Sequence, residues 1–369
     1  MLIRPVRFPD LPALRALVSD AIAEAREQRG VDLASQFPHW HQMSPLLRPS
    51  SRSDRLSGAR GAIYPLARVL TLFPNPYKHA FNLHVAEANG EVAGFIQTAP
   101  ANRDQSRWHV DYLAVRPDAR GQGIAQALLD YTFEHHLGVK SFTVEIDTRN
   151  LAAIGLFTRK GFRRYATVHY FQLPEEKLKG VESVQPPAGL RPYRAKDAAG
   201  LLQLHNACTP SPMRMIDARN VGDFEVGLVQ RTLGKWRCKL GMAEEMRYVV
   251  TDDRQRMIGY LHLTAQLRSD PHAIDLLVHP GYDDLAEPLL RFGLAKLREY
   301  PPQGVLAWVP DYQPAKMGAL EQAGFSLLTA HHLFVRDSLL TIRMPSRSVA
   351  AVEDNAFKPA FYEPCAGEG

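Results

Sequence analysis

Apolar residues recur along this chain with two different periods. Runs with the short period of a β-strand alternate with runs in which apolar residues share one face of a helix. Asn89-Gly90 separates two of the strand-like runs and is a strong hairpin signal. This order predicts an α/β (α+β) fold with a mixed sheet flanked by helices. The predicted strands lie at 3–7, 83–87, 92–99, 107–115, 141–147 and 168–173, and the predicted helices start near Leu11, near Ala127 (ending at about His136) and at Asn150 (ending at Lys160).

The second half of the chain repeats the first. Short segments recur in the same order, and the same separation of 44 positions joins Pro117 to Gly161 and Pro280 to Gly324. Such self-similarity indicates a duplicated domain. The recurring segments are Arg4–Asp10 with Arg191–Asp197, Gly94-Phe95 with Gly259-Tyr260, Val115–Pro117 with Val278–Pro280, and Gly161-Phe162 with Gly324-Phe325.

The repeats predict two tandem domains, at 1–175 and at 189–345. The stretch between them, 176–188, holds Pro, Gly and charged residues without periodicity, and we interpret it as a linker. Residues 346–369 are predicted to form a C-terminal tail that docks through its aromatic residues rather than remaining free.

Composition excludes several classes of function. The 369 residues are 45% hydrophobic and 22% charged, as in ordinary globular proteins. A net charge of +5 suits an anionic cofactor but is too small to indicate nucleic-acid binding. Three distant cysteines argue against a disulfide framework or a zinc site, and no apolar run is long enough to cross a bilayer. We therefore expect a cytoplasmic monomer or homodimer with no metal, nucleic-acid or membrane partner.

A turn rich in glycine joins a strand to a helix at residues 110–127. The strand ends before Pro117, which cannot donate to a sheet ladder, and Gly121 and Gly123 follow. Backbone N–H groups at a helix N-terminus, together with the helix dipole, favour a phosphate or pyrophosphate. The glycines could instead serve only the turn, and neither of the two best-known phosphate-loop patterns is present.

Two motifs then give the stretch a family context. Arg120, Gly123 and Ala125 fit the pattern [RQ]-x-x-G-x-[GA], and Asn150 to Phe162 fits N-x-x-A-x-x-L-Y-x-x-x-G-F except at Phe157. In this order and spacing they resemble the motifs of the GCN5-related N-acetyltransferases (GNAT). The resemblance covers residues 1–173. It implies that each domain has a mixed, splayed central sheet, and that the protein is an acetyl-CoA-dependent N-acetyltransferase acting on a primary amine of a small molecule or peptide.

The resemblance also implies which residues hold acetyl-CoA. The pantetheine arm pairs with the first splayed strand, and the pyrophosphate lies on the glycine loop. Arg120 could instead be a solvated surface residue, and Asn150 could cap the helix that follows it. The residues assigned to the cofactor are Leu113, Ala114, Val115, Arg120, Gly121, Gln122, Gly123, Ile124, Ala125, Asn150 and Phe157.

Transfer to an amine needs a base and a proton for the departing thiolate. Glu145 resembles the glutamate that acts as base, through water, in ribosomal-protein alanine N-acetyltransferases. Asp111 lies on the strand where many members carry a carboxylate, and His109 shares its facing at period two. Each of the three could instead be a solvated or sheet-rim residue. Where the family has a tyrosine acid this chain has Phe157, which has no proton to donate, so that Tyr112, Tyr165, Tyr170 or water would have to serve.

The second half departs further from the family. After Val278–Pro280 come Asp283, Asp284 and Glu287, which would repel a pyrophosphate, and both Arg120 and the paired glycines have no counterpart. We therefore expect a single cofactor site, in the first half, and a degenerate second half. Phe157 motivates an alternative function, that of a catalytically weak or inactive acyl-CoA-binding regulatory module. A third interpretation is a scaffold in which both halves only pack.

Overall fold

The computed structural model describes residues 1–18, 20, 82–102, 105–136, 138–182, 184–225, 243–268 and 270–338. The predicted tail at 346–369 lies outside the described residues. The strands are β1 (Leu2–Pro5), β2 (Asn82–Ala88), β3 (Glu91–Pro100), β4 (Arg107–Val115), β5 (Ser141–Asp147), β6 (Arg163–Leu173), β7 (Leu190–Pro192), β8 (Ala243–Thr251), β9 (Met257–Gln266), β10 (His272–Val278), β11 (Val305–Pro310) and β12 (Ser326–Asp337). The helices are α1 (residues 11–18), α2 (Ile124–His135), α3 (Leu151–Arg159), α4 (Glu175–Lys179), α5 (Ala198–Cys208), α6 (Ser211–Ile216), α7 (Val221–Phe224), α8 (Ala286–Leu297) and α9 (Pro314–Gln322).

All the described strands form one mixed sheet. Their order is β1-β2-β3-β4-β5-β12-β6-β11-β10-β9-β8-β7. The pairs β4–β5 and β10–β11 are parallel, and the other described pairs are antiparallel. Read from either edge, the order is the same for the two halves, so the duplication predicted from sequence is visible as an approximate twofold repeat of the sheet.

The two halves exchange their last strands. Strand β12, from the second half, pairs with β5 of the first, and strand β6, from the first half, pairs with β11 of the second. The side chains of each exchanged strand pack in the other half's core. Phe334 of β12 lies in the first half's core, and Phe171 and Leu173 of β6 lie in the second half's core. Burial of one such aromatic or leucine side chain contributes about 1.5–3 kcal/mol, so the exchange couples the folding of the halves.

Each half has a large apolar core on one face of its strands. In the first half α2 and α3 pack on β3, β4 and β5, and in the second half α8 and α9 pack on β9, β10 and β11. A smaller core on the opposite face packs α1 against β2 and β3, and α5 against β8 and β9. The sheet is therefore covered on both faces in each half, as expected for a layered α/β arrangement.

Most predicted elements are present with small shifts in their ends. Strands β4 and β5 have the predicted bounds, whereas β6 starts at Arg163, five positions before the predicted start at Val168. A short helix, α4, overlaps the start of the predicted linker. Leu178 of α4 is 2% exposed and packs into the second half's core, which explains why a segment without helical periodicity forms a turn of helix. The predicted domain bounds themselves stay a prediction.

One ion pair recurs at the same place in both halves. Arg4 contacts Asp10 at 2.7 Å, and Arg191 contacts Asp197 at 2.7 Å. Each aspartate also accepts a backbone N–H three residues before it, at 2.7 Å in both cases. These contacts hold the chain between the first strand of each half and the first helix, and they explain why this segment repeats in the sequence.

Candidate active site

Strands β4 and β5 run in parallel and separate part-way along their length. Residue pairs join them from Arg107–Ser141 to Val110–Val144, where the pairing ends. Beyond this point β4 continues to Val115 along β3, and β5 continues to Asp147 along β12. The strands therefore diverge and leave a wedge, as the splayed sheet predicted from the motifs requires.

A β-bulge lies on β4 where the wedge begins. Val110 is opposite Thr98 on β3 and Tyr112 is opposite Gln97, so that Asp111 is the extra residue between them. A bulge rotates the strand and redirects the backbone groups that follow it, and bulges are enriched beside active sites. The bulge therefore changes which atoms of β4 face the wedge.

The glycine loop lies at the same end of β4. Gly121 and Gly123 have φ values of 80° and 78°, a backbone conformation that residues with a Cβ rarely adopt. A Cβ added at either glycine would meet no atom within 4 Å, so the surface above them is open to a ligand. Gly123 is followed at once by α2, whose first N–H groups and dipole favour an anion. Arg120 is exposed and its Nε donates to the carbonyl of Val115 at 3.3 Å.

The other residues predicted to contact the cofactor are divided between surface and core. Leu113 and Val115 are partly buried against the core under α2, and Ala114 packs toward α1. Ile124 is buried, Ala125 is half-buried, and Gln122 is exposed with its amide donating to the Asp118 carbonyl at 3.4 Å.

Asn150 and Phe157 lie at the start and the end of α3. The Asn150 side chain accepts a hydrogen bond from the N–H of Ala153 at 3.1 Å, so the capping interpretation is confirmed. Phe157 is 3% exposed, with its ring 5.0 Å from that of Phe162. Contact of either residue with acetyl-CoA stays a prediction.

Glu145 is the first residue of β5 beyond its last pair with β4, and its side chain is 10% exposed. Tyr170 Oη donates to Glu145 Oε1 at 2.5 Å, and His331 Nδ1 lies 2.7 Å from the same oxygen. The Tyr170 and His331 rings pack edge-to-face with centroids 5.1 Å apart. The carboxylate is therefore held by one residue from each of the two exchanged strands.

The other two candidate bases lie on β4. Gln97 Nε2 donates to Asp111 Oδ2 at 3.3 Å, and His109 Nδ1 lies 3.0 Å from Thr143 Oγ1. Side chains along a strand alternate between its two faces, and His109 is paired with Thr143, so His109 lies on the face of the sheet that carries Glu145.

Three tyrosines named as replacement acids are also placed. Burial raises the pKa of Tyr112 and of Tyr165, and nearby charges, from Asp111 and Asp217 respectively, raise them further. Burial, followed by the charge and hydrogen bond of Glu145, raises the pKa of Tyr170 well above its ordinary value. All three phenols therefore keep their proton at neutral pH, as a donor must.

Comparison with known proteins agrees with this geometry. Residues 40–162 match the model of the acetyltransferase (GNAT) family. An uncharacterized N-acetyltransferase of Methanocaldococcus jannaschii is 27% identical over 122 residues, which are 31% of this chain and 72% of that protein.

Solved structures share the fold over most of the chain. A GCN5-related N-acetyltransferase from Sphaerobacter thermophilus aligns over 91% of this chain and 95% of its own, with a TM-score of 0.56 and 16% identity. A GCN5-related glucosamine N-acetyltransferase region of a fungal multi-domain β-N-acetylglucosaminidase aligns over 90% of this chain and 38% of its own, with a TM-score of 0.55 and 14% identity.

Residues 40–162 thus carry a match to the GNAT family, which supports acyltransferase activity. The fold over most of the chain is that of GNAT structures, and it consists of two similar halves. No helix within the described ranges combines the length and apolarity needed to cross a membrane.

The second GNAT half keeps the divergence of its parallel strands but not the other features. Strands β10 and β11 pair from His272–Val305 to Ile274–Ala307 and then separate. The ladder between β9 and β10 runs without a register shift, so the bulge of the first half has no counterpart. Lys316 of α9, only 7% exposed, contacts Asp275 of β10 at 2.5 Å. A partly buried ion pair thus connects α9 to the strand beside this wedge.

Sequence reasoning missed His331. The residue belongs to the second half, 186 positions from Glu145, and no motif or spacing joins the two. Only the insertion of β12 between β5 and β6 brings them together. In the sequence of β12, His331 stands beside a second histidine, His332, and neither residue indicates a partner.

Proposed function

We propose that the first half binds acetyl-CoA in the wedge between β4 and β5 and transfers its acetyl group to a primary amine of a small molecule or peptide. The observation that carries this proposal is the coincidence, at one end of β4, of three features. The parallel pairing ends after Val110–Val144, a bulge places Asp111 at that point, and the loop with Gly121 and Gly123 follows.

The reaction assigns a task to each part of the wedge. The pyrophosphate would lie on the loop and the pantetheine arm along β4, which sets the thioester carbonyl near the bulge. The amine nitrogen attacks the carbonyl carbon, a C–N bond forms, and the C–S bond breaks as the tetrahedral intermediate collapses. The ammonium gives one proton to the base, and the nitrogen gives up a second as the thiolate departs and is protonated.

We infer that Glu145 is the base, acting on the amine directly or through water. Its position beyond the last β4–β5 pair sets it at the point where the strands diverge, and two contacts to Oε1 fix its orientation. Asp111 is the second candidate, held by Gln97 at the bulge. His109, whose Nδ1 faces Thr143, is the third.

Phe157 supports the alternative of a weak or inactive acyl-CoA-binding module. Its ring packs on Phe162 in the core, and it has no hydroxyl group to protonate a thiolate. Tyr170 keeps its proton but gives its hydrogen bond to Glu145. If no other group supplies the proton, the first half would bind acetyl-CoA and turn over slowly.

Calorimetric titration and an assay of coenzyme A release separate the two functions. We expect acetyl-CoA to bind with a stoichiometry of one per chain, and we expect an amine panel to release coenzyme A. Replacement of Glu145 by Gln should lower kcat by about 100-fold while binding persists, because the amide cannot take the proton.

Binding without release for any amine would favour the regulatory module. The absence of binding would contradict both functions, and a stoichiometry of two would contradict the degenerate second half. If Asp111→Asn lost more activity than Glu145→Gln, Asp111 at the bulge would be assigned as the base instead of Glu145.

A further inference from the structure

We propose that His331, carried by the exchanged strand β12, is a positioning residue for the first half's reaction and acts by orienting the Glu145 carboxylate. The inference rests on the proposed function and extends it. It gives the second half a task in catalysis, although that half's own wedge lacks the bulge and the glycine loop.

The register of β12 places His331 beside the base. His331 is opposite Asp147 and Leu333 is opposite Glu145, so that the imidazole lies diagonally across from the Glu145 carboxylate on the same face. Its side chain is 9% exposed, and Nδ1 is 2.7 Å from Glu145 Oε1. The other ring nitrogen, Nε2, is 3.8 Å from Asp147 Oδ2, beyond hydrogen-bonding distance.

The surrounding contacts make the imidazole a rigid support. Tyr170 packs edge-to-face on its ring and donates to the same carboxylate oxygen. Asp147 is itself held, because Oδ1 accepts the Arg149 backbone N–H at 2.8 Å and Oδ2 accepts from Thr329 Oγ1 at 3.3 Å. The polar groups around Glu145, on β5, β6 and β12, are therefore held in place by these contacts.

A fixed carboxylate matters because proton transfer needs a short, aligned contact with the amine. A misplacement of about 1 Å in an active site can cost roughly 100-fold in rate. The terminal torsion of a glutamate side chain has a broad minimum, so contacts to its oxygens decide its orientation. Tyr170 and His331 contact Oε1 from two different strands, and loss of the His331 contact would leave that orientation less constrained.

The test compares three substitutions in the full-length chain. In His331→Asn the amide nitrogen occupies about the place of Nδ1 and can still donate to Glu145. In His331→Gln the amide extends toward the place of Nε2 and Asp147, and in His331→Leu no donor remains. For each variant we would measure kcat, the KM values for acetyl-CoA and for the amine, and the thermal unfolding midpoint.

We expect His331→Leu to lower kcat by roughly 10- to 100-fold with the KM for acetyl-CoA unchanged, and His331→Asn to recover most of the loss. His331→Gln should resemble Leu. In a Glu145→Gln background, adding His331→Leu should cause little further loss of kcat, since the histidine acts through the carboxylate.

Two results would overturn the role of His331 alone. One is a folded His331→Leu protein with wild-type kcat, and the other is equal activity in the Asn and Gln variants, a comparison that holds even if the Leu variant does not fold. Wild-type protein that binds acetyl-CoA but never releases coenzyme A would overturn the proposed transferase function, and the role of His331 with it.

Discussion

In each half of this protein two parallel strands separate at the same place in the sheet, but the residues around that place differ between the halves. In the first half the pairing of β4 with β5 ends at Val110–Val144, beside a bulge and a loop with two left-handed glycines. In the second half the pairing of β10 with β11 ends at Ile274–Ala307, beside a regular ladder.

The loops after the two wedges differ in charge as well as in conformation. The first carries Arg120 before its glycines, whereas in the second Asp283 and Asp284 open a short 3-10 helix ahead of α8. The divergence of two parallel strands is common to both halves, whereas the residues that we propose to bind an anion are present in the first half only. We therefore expect the second half to keep the shape of the fold without binding acetyl-CoA.

The largest effect should come from charge on the first half's glycine loop. Gly123→Glu should weaken acetyl-CoA binding by about 100-fold, because it strains a positive-φ position and sets a carboxylate where the pyrophosphate would lie. Gly123→Gln, with the same strain and size but no charge, should lose only about tenfold. Titration calorimetry measures both.

The matched control is in the second half. Gly281→Glu alters the equivalent loop and should leave acetyl-CoA affinity unchanged. If Gly123→Glu bound normally while folded, the placement of the pyrophosphate would be wrong. If Gly281→Glu weakened binding as much, the distinction between the two halves would be lost.

A smaller effect is expected at two strand glycines, Gly94 and Gly259, that lie close to a neighbouring element. A Cβ at Gly94 would lie 2.8 Å from the carbonyl oxygen of Ala114 on β4, and a Cβ at Gly259 would lie 2.9 Å from Leu285 Cδ2. Both alanine variants should lower the free energy of unfolding by about 1–3 kcal/mol. Gly94→Ala should lose more, because a strand carbonyl cannot rotate away as a leucine side chain can.

The two alanine variants should also separate on binding. Only Gly94→Ala displaces β4, the strand that bounds the proposed acetyl-CoA site, so only it should raise the Kd for acetyl-CoA, by roughly tenfold. Urea unfolding and calorimetry on the same samples provide the measurement. Equal effects of the two variants on affinity would show that the wedge does not depend on the position of β4.

The smallest difference between the halves should appear at the ion pair that recurs in each of them, Arg4–Asp10 and Arg191–Asp197. Hydrogen bonds from Arg4 and Arg191 lower the pKa of Asp10 and of Asp197 respectively. Asp10→Asn and Asp197→Asn should each lower the free energy of unfolding by about 2 kcal/mol at neutral pH. We expect similar losses, because both carboxylates accept the same arginine and backbone contacts.

The pH dependence follows from the direction of these shifts. A carboxyl whose pKa is lowered by folding stabilises the native state above its ordinary pKa, and that stabilisation is lost as the pH falls through the lowered value. The difference between wild type and either variant should therefore shrink in acid, as measured by urea unfolding at several pH values. A difference that persisted at the lowest pH would show that the ion pair is not its source.

Much of the site could be predicted from local sequence. Strand β4, the glycine loop and α2 lie in one continuous segment, so their conformations follow from Pro117, the glycines and the apolar stripe. The strand-like run at 141–147 predicted β5 in the same way, and the second motif predicted α3. The capping role of Asn150 was open in the sequence and was decided by its contact with Ala153.

Other features depended on contacts that local pattern does not encode. The bulge at Asp111 is defined by the pairing of β4 with β3, and the sequence of β4 alone does not show which of its residues lacks a partner in that ladder. Helix α4 forms at the start of the predicted linker because Leu178 packs into the second half's core. Neither feature has a signal in residues close to it in the chain.

A duplicated GNAT-type fold with the glycine loop in one copy could be predicted before folding was considered, because those properties reside in short contiguous segments and in residue identity. Which strands become neighbours could not be predicted in this way. Strand pairing joins residues far apart in the chain, and its backbone hydrogen bonds are the same for any partner. For that reason the exchange of β6 and β12, and the meeting of Glu145 with Tyr170 and His331, became visible only in the folded protein.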